Sequence, residues 1–565
     1  MSAKPGPFDP GQALGEAVAL HRQGRLLDAE KIYECVLKAV PGNFDALNLL
    51  GSVKARQGHL VEAQRLFGAA VKANPRAPAA WVNLGQALFA LKRLPEALEC
   101  FDKARLLAPG DTDILYMHAN ALLSLGHPRD ALAEFQAVLA RSPRHFEARL
   151  NSGLAQATLG MTAAALADFD AALALSPGHP AAHFNLGVAL LQLGRYADAV
   201  AANDRAIAAA PDHLGAWLNR GRALLQLRHL DQAITSYGEV LARRKDDANA
   251  HFNLALALLT VGQYRLGFEE YEWRWRRTGM PPQENRGKPL WLGEYPLHGK
   301  TVLLHAEQGL GDTIQFARYV PLLAARGATV VLEVQPELKS LMSRLNGAAR
   351  VLARGEVPPP FEVYCPLGSL PLAIKTEIET VPTPLPYLTA EAARVAQWSA
   401  RFEKLPRPRV AIAWSGNPAH ENDRNRSIAF DRLAPLFSMP ASFVSIQHDV
   451  RAAEAVLLAS EGRLTHVGGE LGDFSDTAAV LALCDLVVAA DTAPAHLAGA
   501  LGRPLWVLVP FAPDWRWTLG GETTPWYPAA RLFRQTSLGD WDAVIVRVAD
   551  ALKIAPDLVG RQHEA

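Results

Sequence analysis

Residues 78–109 read PAAWVNLGQALFALKRLPEALECFDKARLLAP, and the same design returns every 34 residues over the first half of the chain. Ala97 is repeated as Ala29, Ala63, Ala131, Ala165, Ala199 and Ala233. Pro109 has counterparts at Pro41, Pro75, Pro143, Pro177 and Pro211, and Phe101 has counterparts at Tyr33, Phe67, Phe135, Phe169 and Tyr237. Three registers with one period define a helical repeat array. Small residues let two antiparallel helices approach closely, aromatics fill the gap to the next hairpin, and proline ends the second helix because it has no N–H to donate. About eight units are predicted, from Pro10 to Trp275, stacked because no single unit can bury its own apolar face. In the last unit Gly267 replaces the alanine, and Tyr271, Trp273, Arg274 and Trp275 crowd behind it, which reads as a cap that docks onto the next domain.

Trp81, Leu84, Gly85, Ala97, Phe101 and Pro109 stand at the spacing of the tetratricopeptide motif, so the array resembles that family. The resemblance implies a binding surface, with chemistry elsewhere in the chain. Asn83, Asn151, Asn185, Asn219 and Asn253 share one position in their units, with Met117 interrupting the series. A carboxamide offers an acceptor and two donors, which matches an extended peptide backbone whatever its side chains. The series is similar to the asparagine ladder of O-GlcNAc transferases and implies a protein client in the groove, although asparagine is common at that position in such repeats generally.

Composition narrows the remaining classes. The 57 basic and 57 acidic residues balance, so the basic excess that neutralises nucleic-acid phosphates is missing and nucleic acid is not an expected partner. Cys35, Cys100, Cys365 and Cys484 form no CxxC pair, which argues against a zinc site or a disulfide framework. With neither an apolar leader at Met1 nor a run of about 18 apolar residues, a cytoplasmic chain without a transmembrane segment is expected.

Near Pro281 the repeat beat stops and short apolar runs begin to alternate with helical segments. Thr301–Ala306 and Thr329–Val334 read as strands around a helix from Asp312 to Ala325, and further strands are expected at 409–414, 443–446, 485–489 and 505–509. The predicted architecture is an all-α superhelix followed by an α/β half with two Rossmann-like lobes. The expected division is a repeat array at 10–277, a linker at 278–297, one lobe at 298–390 and a second at 407–565.

Ligands of such sheets sit beyond the carboxyl ends of strands, and three strand ends carry polar residues. In Gln308-Gly309-Leu-Gly311-Asp312 the glycines free a turn and Asp312 opens a helix, as a cap or as a general base. In Asp491-Thr492-Ala493-Pro-Ala-His496 a strand ends where a helix begins, so the helix dipole and the Thr492 hydroxyl could hold a diphosphate. His496 reads equally as a buried, hydrogen-bonded histidine. The loop Ser415–Ser427 carries Arg424 and Arg426 and suits an anion.

Together the Gly-Leu-Gly-Asp312 and Asp491–Pro504 segments resemble GT-B glycosyltransferases of the lipopolysaccharide heptosyltransferase type, over about residues 300 to 540. Two departures stand out: Ala493 occupies a usual glycine position, and the stretch from Asp514 to Trp517 and on to Trp526 and Tyr527 is richer in aromatics than the pattern needs, for sugar stacking or for core packing. The resemblance implies an inverting enzyme that needs no metal or cofactor and takes a nucleotide-sugar as donor. It places Asp312 as base, with Asp491, Thr492, Ala493, His496, Arg424 and Arg426 on the donor side. The layout is similar to bacterial flagellin glycosyltransferases, which implies transfer to serine or threonine of a protein. The alternatives are a scaffold that has lost catalysis and transfer to a lipid-linked glycan.

Overall fold

The computed structural model describes residues 8–278, 287–383 and 385–554. It forms two compact units, Met1–Asn219 and Arg220–Ala565. Residues 279–286 of the expected linker and 555–565 of the expected second lobe lie outside the described residues.

The first unit is built of hairpins in which a 13-residue helix precedes a 14-residue one, as in Pro78–Ala90 and Leu94–Leu107. Asp9, Asn43, Asp111, His145 and His179 cap the first helices, each accepting an early backbone N–H. The repeated alanines have no solvent exposure, and four of the repeated rings, Phe67, Phe101, Phe169 and Tyr237, lie on helical glycines. A Cβ at Gly85 or Gly153 would come within 2.7 or 2.5 Å of Phe101 or Phe169. Asn203 takes the ring position in the sixth hairpin. Its Nδ2 donates to Ala199 O at 2.7 Å, and among the described residues its buried Oδ1 has no partner.

Between the two helices of each hairpin one residue takes the left-handed conformation, which L side chains resist. Gly24, Gly58, Gly126, Gly160 and Gly194 hold this place in the first unit, but in the third hairpin it falls to Lys92, at φ 62°.

The second unit starts inside the helix Leu214–Gln226 and continues through Leu230–Arg243, α1 (Ala248–Thr260), α2 (Tyr264–Tyr271) and a 3-10 turn at Glu272–Arg276. Two parallel sheets come next. The first contains β1 (Thr301–His305), β2 (Thr329–Val334), β3 (Ala348–Ala353) and β4 (Val363–Pro366) in the order β3-β2-β1-β4. The second contains β5 (Arg409–Ala413), β6 (Ser442–Ser445), β7 (Leu464–His466), β8 (Leu486–Ala490), β9 (Leu505–Val509) and β10 (Ala530–Arg534), ordered β10-β9-β8-β5-β6-β7. That is a doubly wound sheet whose connections diverge between β5 and β8, which opens a crevice there.

The helix expected over Asp312–Ala325 is two helices, Leu310–Phe316 (α3) and Tyr319–Ala325. Pro321 has no N–H for the Ala317 carbonyl, so the first helix cannot run on.

The last repeat is part of the core of the α/β half. Leu259 of α1 and Tyr264, Phe268 and Tyr271 of α2 share one apolar cluster with Val302, Leu304, Trp515 and Trp526. Trp526 Nε1 donates to Tyr264 Oη at 2.9 Å. Arg274, 1% exposed, donates to Glu272 Oε1 (2.6 Å), Ser369 Oγ (2.7 Å) and Glu307 Oε1 (3.1 Å). Arg228 repeats the Lys92 conformation at φ 61°, and its guanidinium reaches Leu519 O at 2.7 Å, a docking contact glycine could not make.

Lys92→Gly should stabilise the repeats by about 1 kcal/mol, because it relieves a left-handed residue of that cost; an unchanged or lower urea midpoint would refute this. A fragment starting at Gly287 should lack a cooperative melt, because it loses Leu259, Tyr264, Phe268 and Tyr271 from the shared apolar cluster, each worth about 1.5–3 kcal/mol against a typical total of about 5–15 kcal/mol. A fragment starting at Arg220 should melt cooperatively, and equal behaviour of the two by calorimetry would contradict the shared core.

Candidate active site between the two lobes

The chain leaving β1 passes through Glu307 and Gln308 before the glycine turn. Burial pushes the Glu307 carboxyl up, while Arg274 and the Gly368 N–H (3.0 Å) hold it in place. Gln308 is held by Tyr271 Oη through its Nε2 (2.5 Å) and by Gln335 Nε2 through its carbonyl (2.8 Å). This rigid turn aims α3 at the second lobe. Asp312 Oδ2 accepts the Gly309 N–H at 3.0 Å, as a helix-capping aspartate does. Its Oδ1 accepts Arg516 Nη2 at 2.5 Å, across the cleft.

Gly311 must be small for a reason of contact. A Cβ there would lie 2.8 Å from His496 Cδ2 and 3.4 Å from Ala493 Cα. The motif therefore meets the start of α4 (Ala493–Ala500), the helix after β8.

At β8's end Asp491 is buried, and desolvation with the nearby Asp514 charge pushes its carboxyl up to about 6. His496 is held well below the ordinary histidine range, first by burial and then by the guanidinium groups of Arg516, Arg318 and Arg426. Its Nδ1 pairs with Tyr527 Oη at 3.0 Å, and its ring stacks on Trp517 with centroids 5.3 Å apart. His496 is thus a neutral packing and hydrogen-bonding group. The Thr492 hydroxyl, expected as a donor to phosphate, gives its proton to Ala490 O at 3.2 Å. In the first turn of α4 Pro494 has no N–H, and the amides of Ala495 and His496 point to Thr492 O. Backbone donors to an anion are therefore fewer than the sequence suggested.

The arginine loop leaves β5 and folds back through a one-turn helix, Asp423–Arg426. Ser427 Oγ donates to Asp423 Oδ1 (2.6 Å) and accepts the Gly416 N–H (3.1 Å), while Gln447 Oε1 takes the N–H groups of Trp414 and Ser415 at 3.1 Å. Arg426, half-buried over Gly416, donates to Asp491 O at 3.1 Å, and among the described residues its buried Nε has no partner. Arg424 is exposed on the other side of the turn. His420 is pushed below its ordinary value by burial and by Arg426, and it senses the charges of Asp312 and Asp514. Ser415 Oγ is also buried without a partner among the described residues.

The structure thus gathers Asp312, Gly311, Asp491, Ala493, His496 and Arg426 in one cleft. Sequence reasoning missed Arg516, Asp514 and His420. The aromatics around Arg516 are core: Trp515, Trp517, Trp526 and Tyr527 are at most 2% exposed, so their faces are not open to a sugar. Two asparagines of the series, Asn83 and Asn151, tie neighbouring hairpins of the first unit together. Asn83 Nδ2 donates to Asn48 Oδ1 at 2.9 Å, and Asn151 Nδ2 donates to Tyr116 Oη at 3.3 Å. In the second unit Asn253 Nδ2 bonds back to Asn249 O at 2.8 Å.

A tetratricopeptide repeat model matches residues 14–63, 49–112, 116–180, 158–213 and 218–270. The model of glycosyltransferase family 9 (heptosyltransferase) matches residues 443–523, which include β8, α4 and Arg516. The chain therefore carries tetratricopeptide repeats followed by a heptosyltransferase-like glycosyltransferase domain. It is 29% identical over 322 residues to Protein FlbA of Caulobacter vibrioides, which spans 52% of this chain and 53% of FlbA, about half of each. Among solved structures, YrrB, described as a TPR protein with an unusual peptide-binding site, is 25% identical and covers 33% of this chain and 95% of its own at a TM-score of 0.29. TTC0263, a TPR protein of Thermus thermophilus, is 27% identical and covers 32% of this chain and 100% of its own at a TM-score of 0.28. Among the described residues no helix is long and apolar enough to cross a membrane.

The raised carboxyl of Asp491 has a measurable consequence. Its value is higher folded, about 6, than the ordinary 3.8, so between those pH values the native state binds more protons than the unfolded chain, and stability falls as pH rises through that window. Asp491→Asn should therefore melt progressively higher than the parent as pH goes from about 4 to about 7.5. A constant offset across that range would show that Asp491 is not so perturbed.

Proposed function

We propose that the chain is a metal-independent, inverting glycosyltransferase that moves a sugar from a nucleotide-sugar to serine or threonine of a protein held by the repeats, flagellin being the first client to try. The observation that supports this most is the meeting of three strand ends. Asp312 follows β1, Asp491 and α4 follow β8, and Arg426 lies on the loop after β5, at the crevice where a doubly wound sheet takes its ligand.

In this reading Asp312 takes the proton of the client's hydroxyl while that oxygen bonds to the anomeric carbon from the face opposite the phosphate. The bond from carbon to phosphate oxygen breaks, and its electron pair leaves on the nucleotide. Arg426 and the amide of Ala493 meet that charge, so the reading gives a divalent ion no part. Asp312 spends one position on each oxygen, and a carboxylate has about four acceptor sites, so two remain for the hydroxyl. The same two bonds are what a purely structural aspartate would make, which is the observation favouring a scaffold without catalysis.

The experiment is a melt of the full chain with UDP, GDP, ADP and CMP, with and without EDTA. A ligand at 100 times its Kd stabilises by about 2.7 kcal/mol. One nucleotide should shift the melt regardless of EDTA, and Asp312→Asn should keep that shift while losing about 10²- to 10⁴-fold in transfer. No shift with any nucleotide would favour the scaffold.

A further inference from the structure

Arg516 is 7% exposed and makes four bonds from one guanidinium. Nη2 holds Asp312 Oδ1 at 2.5 Å, Nη1 holds both carboxylate oxygens of Asp514 at 3.0 and 3.1 Å, and Nε donates to Gln315 Oε1. Asp312 and Gln315 sit on α3 of the first lobe, whereas Asp514 and Arg516 come after β9 of the second. Its planar face lies over the Trp515 ring at 4.3 Å. Trp515 in turn stands edge-on to Tyr264 and Phe268, at 5.9 and 5.6 Å and near-perpendicular, so the terminal repeat sets the seat of the arginine.

We propose that Arg516 is a positioning residue that fixes the Asp312 carboxylate across the cleft, so that its remaining acceptor sites face the incoming hydroxyl; this rests on the transferase reading above. With Oδ1 on Arg516 and Oδ2 on the Gly309 N–H, the plane of the carboxylate is set by one contact from each lobe. A fork-shaped, charged donor does this where an ammonium would not, because it binds Asp312, Asp514 and Gln315 simultaneously in one plane. A displacement of about 1 Å between reacting groups costs about 10²-fold in rate. Arg516 touches neither the donor nor the hydroxyl in this scheme, so it acts only through Asp312.

The test uses the full chain and nucleotide release from UDP-N-acetylglucosamine, GDP-mannose, ADP-glucose and CMP-N-acetylneuraminate, with water as acceptor. Arg516→Lys should lower kcat about 10²-fold and leave KM for the accepted donor within about threefold. Placed in the Asp312→Asn background, the same change should cost almost nothing further, because the group through which it acts is gone. An equal loss in both backgrounds, or a full kcat in Arg516→Lys, would overturn the proposal while leaving the transferase standing. If Arg516→Lys does not fold, Asp514→Asn loosens the same guanidinium without touching Asp312 and takes its place in the cycle with the same expectations. A parent chain that releases nucleotide from none of the four donors overturns the transferase reading and this proposal with it.

Discussion

The two lobes of the catalytic half meet where a guanidinium is withdrawn from water. An arginine buried without anions would be strongly unfavourable, so Arg516 requires Asp312 and Asp514 beside it, and through Asp312 it requires the first lobe at a fixed distance. Gly311 is the steric side of the same requirement, because its missing side chain lets the glycine turn sit on His496. Charge pairing and close packing thus act at one seam, and the residues with chemical potential lie along it.

That seam continues into the repeats. Trp515 stacks on Arg516 from one side and packs against Tyr264 and Phe268 from the other, while Tyr271 bonds Gln308 just before the glycine turn. Arg274 holds the buried Glu307 from the turn after α2. The terminal hairpin therefore does what an additional helix of the first lobe would do. Within the second unit the terminal repeat and the α/β lobes have no separate cores at their junction.

The environment of each acid in the cleft differs. Asp491 is buried close to Asp514 and holds its proton more tightly than an ordinary aspartate. Asp312 is partly exposed although it is paired with the buried Arg516. His496 is kept neutral by burial among arginines, so it packs and hydrogen-bonds at the start of α4 without carrying charge. Arg426 has a buried Nε without a partner among the described residues, whereas Arg424, two residues away, is exposed.

The sequence by itself determined the repeat helices and six of the ten strands found among the described residues. A 34-residue period in alanine, aromatic and proline is a local packing rule repeated, and apolar runs such as Leu505–Val509 are strands because both faces of a parallel sheet are buried. The glycine turn, the start of α4 and the arginine loop were legible because chemistry in such sheets collects at strand ends. What only the tertiary structure decided is how those ends pair. Arg516 lies 204 residues from Asp312, and the stretch around it shows an excess of aromatics but no periodicity that would mark its one arginine as a bridge. Whether Trp515 and Trp526 stack on a ligand or fill a core depends on Tyr264 and Phe268 arriving from the repeats, and whether Thr492 can offer its hydroxyl depends on Ala490 O beneath it. Local propensity and pattern are properties of neighbouring residues, whereas burial, and with it the strength of every charge in the cleft, is a property of which distant segments come to cover them.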